Sequence, residues 1–232
     1  MKKLGLFVAL VSLLTGCASN NIDQLETKIQ EIASSVYTIE VSNYKEYYDY
    51  YVNPGLKVVD STKLSSLIQA GDNYIVLNIN VSNVVNEEYY NEVNIGLKPV
   101  SSLENVVTYF DGQFLNIDDE MIDYKLVVYL IDGTYMVYLN TTYVDLYSIL
   151  PQSDITLTAC EMMIMAKSVQ IEYETIASDY SNINQIDYVK EQIKLFEVVV
   201  PESGRIEEIL LEGYTTEDDE YRVDDNLIDG VE

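Results

Sequence analysis

The chain predicts an α+β fold, a mostly antiparallel sheet around the Tyr124–Thr142 hairpin, flanked by helices. Three observations predict it. Two β-rich runs, Tyr124–Ile131 and Thr134–Thr142, enclose Asp132-Gly133, a dipeptide suited to a two-residue hairpin turn. In the first run Leu126, Val128 and Leu130 alternate with Val127, Tyr129 and Ile131, so both faces are apolar and both need a cover. The covers should be helices. Asp154–Val169 is the main candidate, with Asp154 as its cap, and Asp145–Leu150, stopped by Pro151, is a short one.

The remaining elements follow from local pattern. Ile22, Leu25, Ile29 and Ile32 recur at helical spacing, so an amphipathic helix runs to about Ser34. Asn21 and Gln24 suit a capping box at its start. It either packs on the domain or forms a stalk, and its apolar stripe favours packing. Val36–Val41 alternates as a strand does. Tyr44, Tyr47, Tyr48, Tyr50 and Tyr51 read as a packed aromatic face rather than a binding site. Pro54-Gly55 and Gly71-Asp72-Asn73 mark turns. Ser61–Ile68 reads as a short surface helix or polar loop. Tyr74–Val81 is a strand with Ile75, Leu77, Ile79 and Val81 on one face. Val93–Leu97 is a further strand candidate. Val106–Phe110 and Gln113–Ile117 read as a hairpin about Asp111-Gly112. Met162, Met163 and Met165 are adaptable core fillers. Ile171–Ile176 is a strand candidate, although 171–200 as a whole leave helix and strand open. Pro201–Gly204 reads as a turn and Arg205–Glu212 as a short helix. Residues 22–213 form one domain, and 214–232 an acidic tail expected to be disordered.

Charge and absent residues bound the chemistry. Asp and Glu number 39 against 13 Lys and Arg, for a net charge of −26. Hydrophobic residues make up 48%, which is a globular composition. With no histidine, Ser-His-Asp triads, Cys-His pairs and His-ligated metals are excluded. The acidic excess repels nucleic acid, whose binding rests on Lys and Arg against phosphates. It attracts divalent cations, polyamines or a basic protein partner, with solubility alone as the favoured reading of the charge. The neighbours of Cys160 are mostly apolar with one acid, so a buried, inert thiol is expected.

The first twenty residues carry a further signal. Lys2 and Lys3 precede an apolar run, Leu4–Leu14, about half the ~20 residues a spanning helix needs. Leu14-Thr15-Gly16-Cys17 follows it and closely resembles the lipobox of bacterial lipoproteins. The resemblance covers this signal alone. It implies a signal peptide over 1–16, cleavage between Gly16 and Cys17, and a diacylglycerol on the sulfur of Cys17. Residues 17–21 are then the lipid anchor and tether, and the chain sits on the extracytoplasmic face of a membrane. Each buried methylene adds ~0.8 kcal/mol, so two or more acyl chains hold stably where one does not. Residues 1–16 contain two lysines and no acid, so 39 acids against 11 bases remain, a net −28.

Two oxygen-rich chemistries remain open. Asn116, Asp118, Asp119, Glu120 and Asp123 form the densest cluster of oxygen ligands and the weak Ca²⁺ candidate. Their spacing departs from the EF-hand pattern and lacks its glycine, so a solvated acidic loop is the favoured reading. No other cofactor is expected. Asn80-Val81-Ser82 and Asn140-Thr141-Thr142 match glycosylation sequons but read here as strand residues. The expectation is a membrane-anchored, non-catalytic binding or interaction protein of the cell envelope. Its partners are the lipid bilayer, through the acyl chains, and a basic protein. The alternative is a carboxylate-dependent hydrolase of cell-wall glycans, which needs two carboxyls in a cleft.

Overall fold

Both central residues of the Asp132-Gly133 turn take left-handed backbone, with φ 51° and 83°. That conformation twists a hairpin in the sense its strands require. It joins β7 (Met121–Ile131) to β8 (Thr134–Thr141) in a computed structural model that describes residues 22–36, 40–90 and 105–181. The other strands are β1 (Asn43–Tyr44), β2 (Tyr48–Tyr50), β3 (Lys57–Ser61), β4 (Ser65–Ala70), β5 (Asn73–Ile79), β6 (Val106–Leu115), β9 (Val144–Leu150) and β10 (Gln170–Ile171). The helices are α1 (Leu25–Ser34), α2 (Val81–Tyr90), α3 (Ile155–Ser168) and α4 (Tyr173–Tyr180).

Seven strands form one antiparallel sheet in the order β3-β4-β5-β9-β8-β7-β6, and β1-β2-β10 form a small second sheet. The α+β architecture therefore stands, with helices against an antiparallel sheet. Alternation sorts each long strand between two faces. Ile75, Leu77 and Ile79 of β5, Leu126 and Val128 of β7, Val137 and Leu139 of β8, and Leu146 of β9 enter the main core. α3 lies against β8 and β9 there, and α1 lies against α3 and β6. Met162, Met163 and Met165 fill this core with Leu25 and Ile29. α1 thus packs on the domain. On the opposite face Val127, Tyr129, Ile131, Met136, Tyr138, Tyr147, Leu67 and Val76 make a second buried cluster. Both faces of β7 are buried, as its double apolar alternation predicts. Leu130, near its end, is exposed.

Three of the five tyrosines in the Tyr44–Tyr51 stretch are core, while Tyr44 is exposed and Tyr51 half-buried. Tyr47, Tyr48 and Tyr50 are buried, and Tyr48 stacks on Tyr50 with ring centroids 5.6 Å apart. Gly71-Asp72 turns the two-residue loop between Ala70 and Asn73, and Gly71 has φ 63°.

Several expectations are corrected. Asp111-Gly112 makes no turn: β6 runs straight through it, with Asp111 opposite Lys125 and Gly112 opposite Tyr124. A Cβ on Gly112 would stand 2.9 Å from the Tyr124 hydroxyl oxygen, so glycine serves a close approach rather than a bend. Asp145–Leu150 is not a helix. It lies within β9, the middle strand, because Val144, Leu146 and Leu150 alternate into the main core while Tyr147 enters the second cluster. The hairpin consequently lies between β9 and the β6 edge rather than at the sheet's centre.

Ser61–Ile68 is neither helix nor loop but the meeting of β3 and β4. Its serines mislead, since Ser65 and Ser66 are fully buried and the Ser66 hydroxyl meets that of Tyr48 at 2.8 Å. Val36, Glu40 and Val41, the described part of Val36–Val41, carry no strand. Val81 opens α2 instead of closing β5, and still packs in the core. Only Ile171 of Ile171–Ile176 ends a strand, and α4 follows. Asp154 makes no cap bond to α3; its carboxylate accepts from Asn73 Nδ2 at 2.7 Å and Ser153 Oγ at 2.9 Å. α1 is entered through a 3₁₀ turn, Ile22–Gln24, and Gln24 makes no side-chain cap bond. Asn21, the Val93–Leu97 strand, the readings of 188–213, the acidic tail, and Gly16 and Cys17 lie outside the described residues.

Candidate functional site

The acidic loop joins β6 to β7. The Asn116 side-chain oxygen accepts the backbone N–H groups of Asp118 at 3.0 Å and Glu120 at 2.8 Å. Its amide donates to Glu120 Oε2 at 3.1 Å. This is an asparagine-built turn, and it leaves Asp119 in left-handed backbone at φ 62°. Two of the other carboxylates are engaged elsewhere. Asp118 Oδ1 accepts from Gln170 Nε2, and Asp123 Oδ1 from Gln113 Nε2, each at 2.7 Å. Four of the five residues share the loop, and Asp123 lies in β7 opposite Gln113. Among the described residues no group of three or more Asp, Glu or Cys side chains is placed to hold a metal ion. Beside the loop, Asn116, Asp118, Thr141, Tyr143, Ala166 and Tyr173 line a cleft of about 10 Å³, room for about one water.

The feature that local reading missed is a polar row across the second face. Register places Ser65 opposite Asn78, Asn78 opposite Asp145, Asp145 opposite Asn140, Asn140 opposite Lys125, and Lys125 opposite Asp111. Six strands thus contribute one polar residue each, interrupting apolar rows. Asp145 is 1% exposed, and Ser65, Asn78 and Asn140 are also buried. Asp145 Oδ1 accepts from Asn140 Nδ2 at 2.6 Å and from the Tyr138 hydroxyl at 3.2 Å. The Tyr138 ring stacks on Tyr147 at 5.0 Å, which orients that hydroxyl. Asn78 Oδ1 and Ser65 Oγ are buried without a hydrogen-bond partner. Chemically the row offers acceptors to an N–H or O–H donor. Structurally it pins register, since slipping a strand by one residue would turn each polar group to the other face. Polar residues at alternate positions, such as Asn78 between Leu77 and Ile79, are its only signal in the chain, and their meeting depends on pairings far apart in sequence.

One buried and two half-buried titratable groups complete the picture. Lys167 is 4% exposed, and its ammonium donates to the carbonyl oxygens of Ile32, Ala33 and Ser35 at 2.9, 3.0 and 2.8 Å. These belong to the end of α1, which carries the negative end of the helix dipole; the Ile32 carbonyl also accepts from the Ser35 N–H and hydroxyl. Burial lowers the Lys167 pKa. Burial pushes the Cys160 thiol up to about 11; nearby Lys28 opposes that, and Glu161 and Glu31 add to it. Burial also raises the Glu161 carboxyl, against a hydrogen bond from Asn53 Nδ2 at 3.3 Å. Glu161 Oε2 is buried without a hydrogen-bond partner. Glu161 is not among the residues lining the cleft beside the acidic loop.

No protein-family model matches the chain, and no curated protein matches it as a relative.

Proposed function

We propose that the chain is a bacterial lipoprotein, anchored through Cys17 at the extracytoplasmic face of a membrane, where it acts as a non-catalytic binding or interaction protein of the cell envelope. The observation that carries this reading is Leu14-Thr15-Gly16-Cys17 directly after a short apolar run. The net charge of −28 beyond Gly16 supports a basic protein as the partner. It also opposes contact with anionic lipid head groups, which leaves the acyl chains to hold the protein at the bilayer. α1 begins at Leu25, a short tether beyond Cys17, so the domain is held near the bilayer.

The test is Cys17→Ala in cells fed a labelled fatty acid. Wild type should fractionate with membranes and take the label. The variant should lose the label and either enter the soluble secreted fraction or keep its signal. An unlabelled wild type, or a variant that stays membrane-bound after normal cleavage, would refute the anchor. Carboxylate-to-amine crosslinking on intact cells tests the partner: a lysine-rich protein, joined in a salt-sensitive way, is expected. The hydrolase alternative has one observation in its favour, the raised pKa of Glu161. It requires glycan cleavage that disappears in Glu161→Gln.

A further inference from the structure

We propose that the outer edge of β6, from Tyr109 to Leu115, is a strand-addition site for an extended, cationic segment of a partner protein; this rests on the basic-partner reading above. The directions of the peptide groups follow from the hairpin. In a two-residue turn the flanking residues, here Ile131 and Thr134, exchange both backbone hydrogen bonds. Alternation then turns Tyr129, Val127 and Lys125 toward β8, and Val128, Leu126, Tyr124 and Ile122 toward β6. The bond from Leu130 N to Asn105 O, 2.8 Å, has the parity this requires. Phe110, Gly112 and Phe114 face Leu126, Tyr124 and Ile122, so they turn their peptide groups inward. Tyr109, Asp111 and Gln113 therefore turn theirs out of the sheet.

β6 ends the strand order, so among the described residues nothing pairs with those groups. Asp111 and Gln113 are exposed, and Tyr109 is 53% exposed. The bulge lies at the far end, between Val106 and Thr108, and leaves the rest in regular register. Among the described residues about 20 Å of this edge is left unpaired. Edges are usually blunted by charged side chains, a proline or a bulge; Tyr109–Leu115 contains no proline and no bulge, and its single charge is Asp111.

Charge selects the occupant. Asp111 is the one charged side chain of this stretch, on the face it shares with Tyr109 and Gln113. Its neighbour across the strand pair is Lys125, on β7, and the open side of Asp111 faces away from the sheet. A Lys or Arg opposite Asp111 makes a favourable cross-strand pair, and a cation also suits the exposed Tyr109 ring. A second copy is the poorer occupant. Pairing β6 with β6 about its middle sets Asp111 against Asp111, and the two chains repel at −28 each.

The test uses the mature chain extracted from membranes into a neutral detergent. The probes are an extended peptide alternating Lys and Val, the same peptide with alternate amides N-methylated, and a Glu-Val control. Binding is read by fluorescence anisotropy at low and high salt. The Lys-Val peptide should bind, weaken with salt, and weaken about tenfold on N-methylation or in Gln113→Pro, since each removes edge hydrogen bonds and keeps the charge. Gln113→Pro places proline on an open edge, where it is tolerated, and an unchanged unfolding midpoint verifies that the variant folds. Equal binding of the N-methylated peptide overturns strand addition and leaves the basic-partner reading standing. Equal binding of the Glu-Val control overturns both.

Discussion

Gly112 lies against the phenol end of the Tyr124 ring: a Cβ there would stand 2.9 Å from the Tyr124 hydroxyl oxygen and 3.0 Å from two ring carbons. Tyr124 is buried and stacks on Phe114 at 6.1 Å, so its ring cannot swing aside cheaply. Gly112→Ala should therefore destabilise the protein by about 1–3 kcal/mol, the usual cost of overpacking. The same change in a Tyr124→Leu background should cost much less. Additive losses in that cycle, measured by denaturant unfolding, would mean the two residues do not oppose each other.

Lys167 should hold α1 to the domain. Lys167→Met leaves the carbonyls of Ile32, Ala33 and Ser35 without their shared donor. A loss of about 2 kcal/mol is expected, with protease cutting within α1 before the sheet is attacked. Unchanged stability together with an intact α1 would refute the clamp.

The buried tyrosines should set the alkaline limit of stability. Burial raises the pKa of Tyr47 to about 12 and also raises those of Tyr48, Tyr50, Tyr124 and Tyr129. An unfolded tyrosine ionises near 10, so above that pH the unfolded chain has lost protons the folded chain keeps. Stability is then fully present below pH ~10 and is lost as pH rises through the folded values. Tyrosinate absorbance should show these rings titrating together with unfolding. Their ionisation near pH ~10 in a chain still folded by circular dichroism would contradict the assignment.

Cys160 should react sluggishly. With a thiol pKa of about 11, its thiolate is scarce at neutral pH. Alkylation at neutral pH should be well over tenfold slower than in the unfolded chain, where a free thiol has a pKa near ~8.5. Equal rates would place Cys160 in a different environment.

The acidic loop should be indifferent to calcium beyond ionic strength. Four of the five candidate side chains are already engaged: Asn116 Oδ1 by two backbone N–H groups, Glu120 by the Asn116 amide, Asp118 by Gln170 and Asp123 by Gln113. Titration with Ca²⁺ should give no saturable, chelator-reversible rise in the unfolding midpoint. Such a rise, lost in Asp118→Asn/Asp119→Asn, would restore the loop as a metal site.

The Asp-Gly pairs show how far local reading reaches. Asp132-Gly133 lies where the chain must reverse, and both residues adopt positive φ. Asp111-Gly112 carries the same two residues between apolar runs, yet its glycine answers to Tyr124, a residue on the neighbouring strand. Nothing within a short window distinguishes these uses. Asp145 misleads in the same way. An acid opening a short apolar run before proline resembles a helix start, whereas here it is a buried strand residue met by Asn140 and Tyr138. The methionine-rich helix, the α1 stripe and the main hairpin were legible because each depends on its own periodicity. The polar row joins residues from Ser65 to Asp145 through strand register, and the Lys167 clamp joins α3 to the end of α1; periodicity within either partner marks neither.

The most direct test of the central claim is the intact mass of the protein purified from membranes of the cells that make it. The account predicts a chain beginning at Cys17, without residues 1–16, and heavier than its sequence by the mass of a diacylglyceryl group on sulfur, together with any acyl group on the new N-terminus. A chain that begins elsewhere, or that begins at Cys17 with a free thiol, would contradict it.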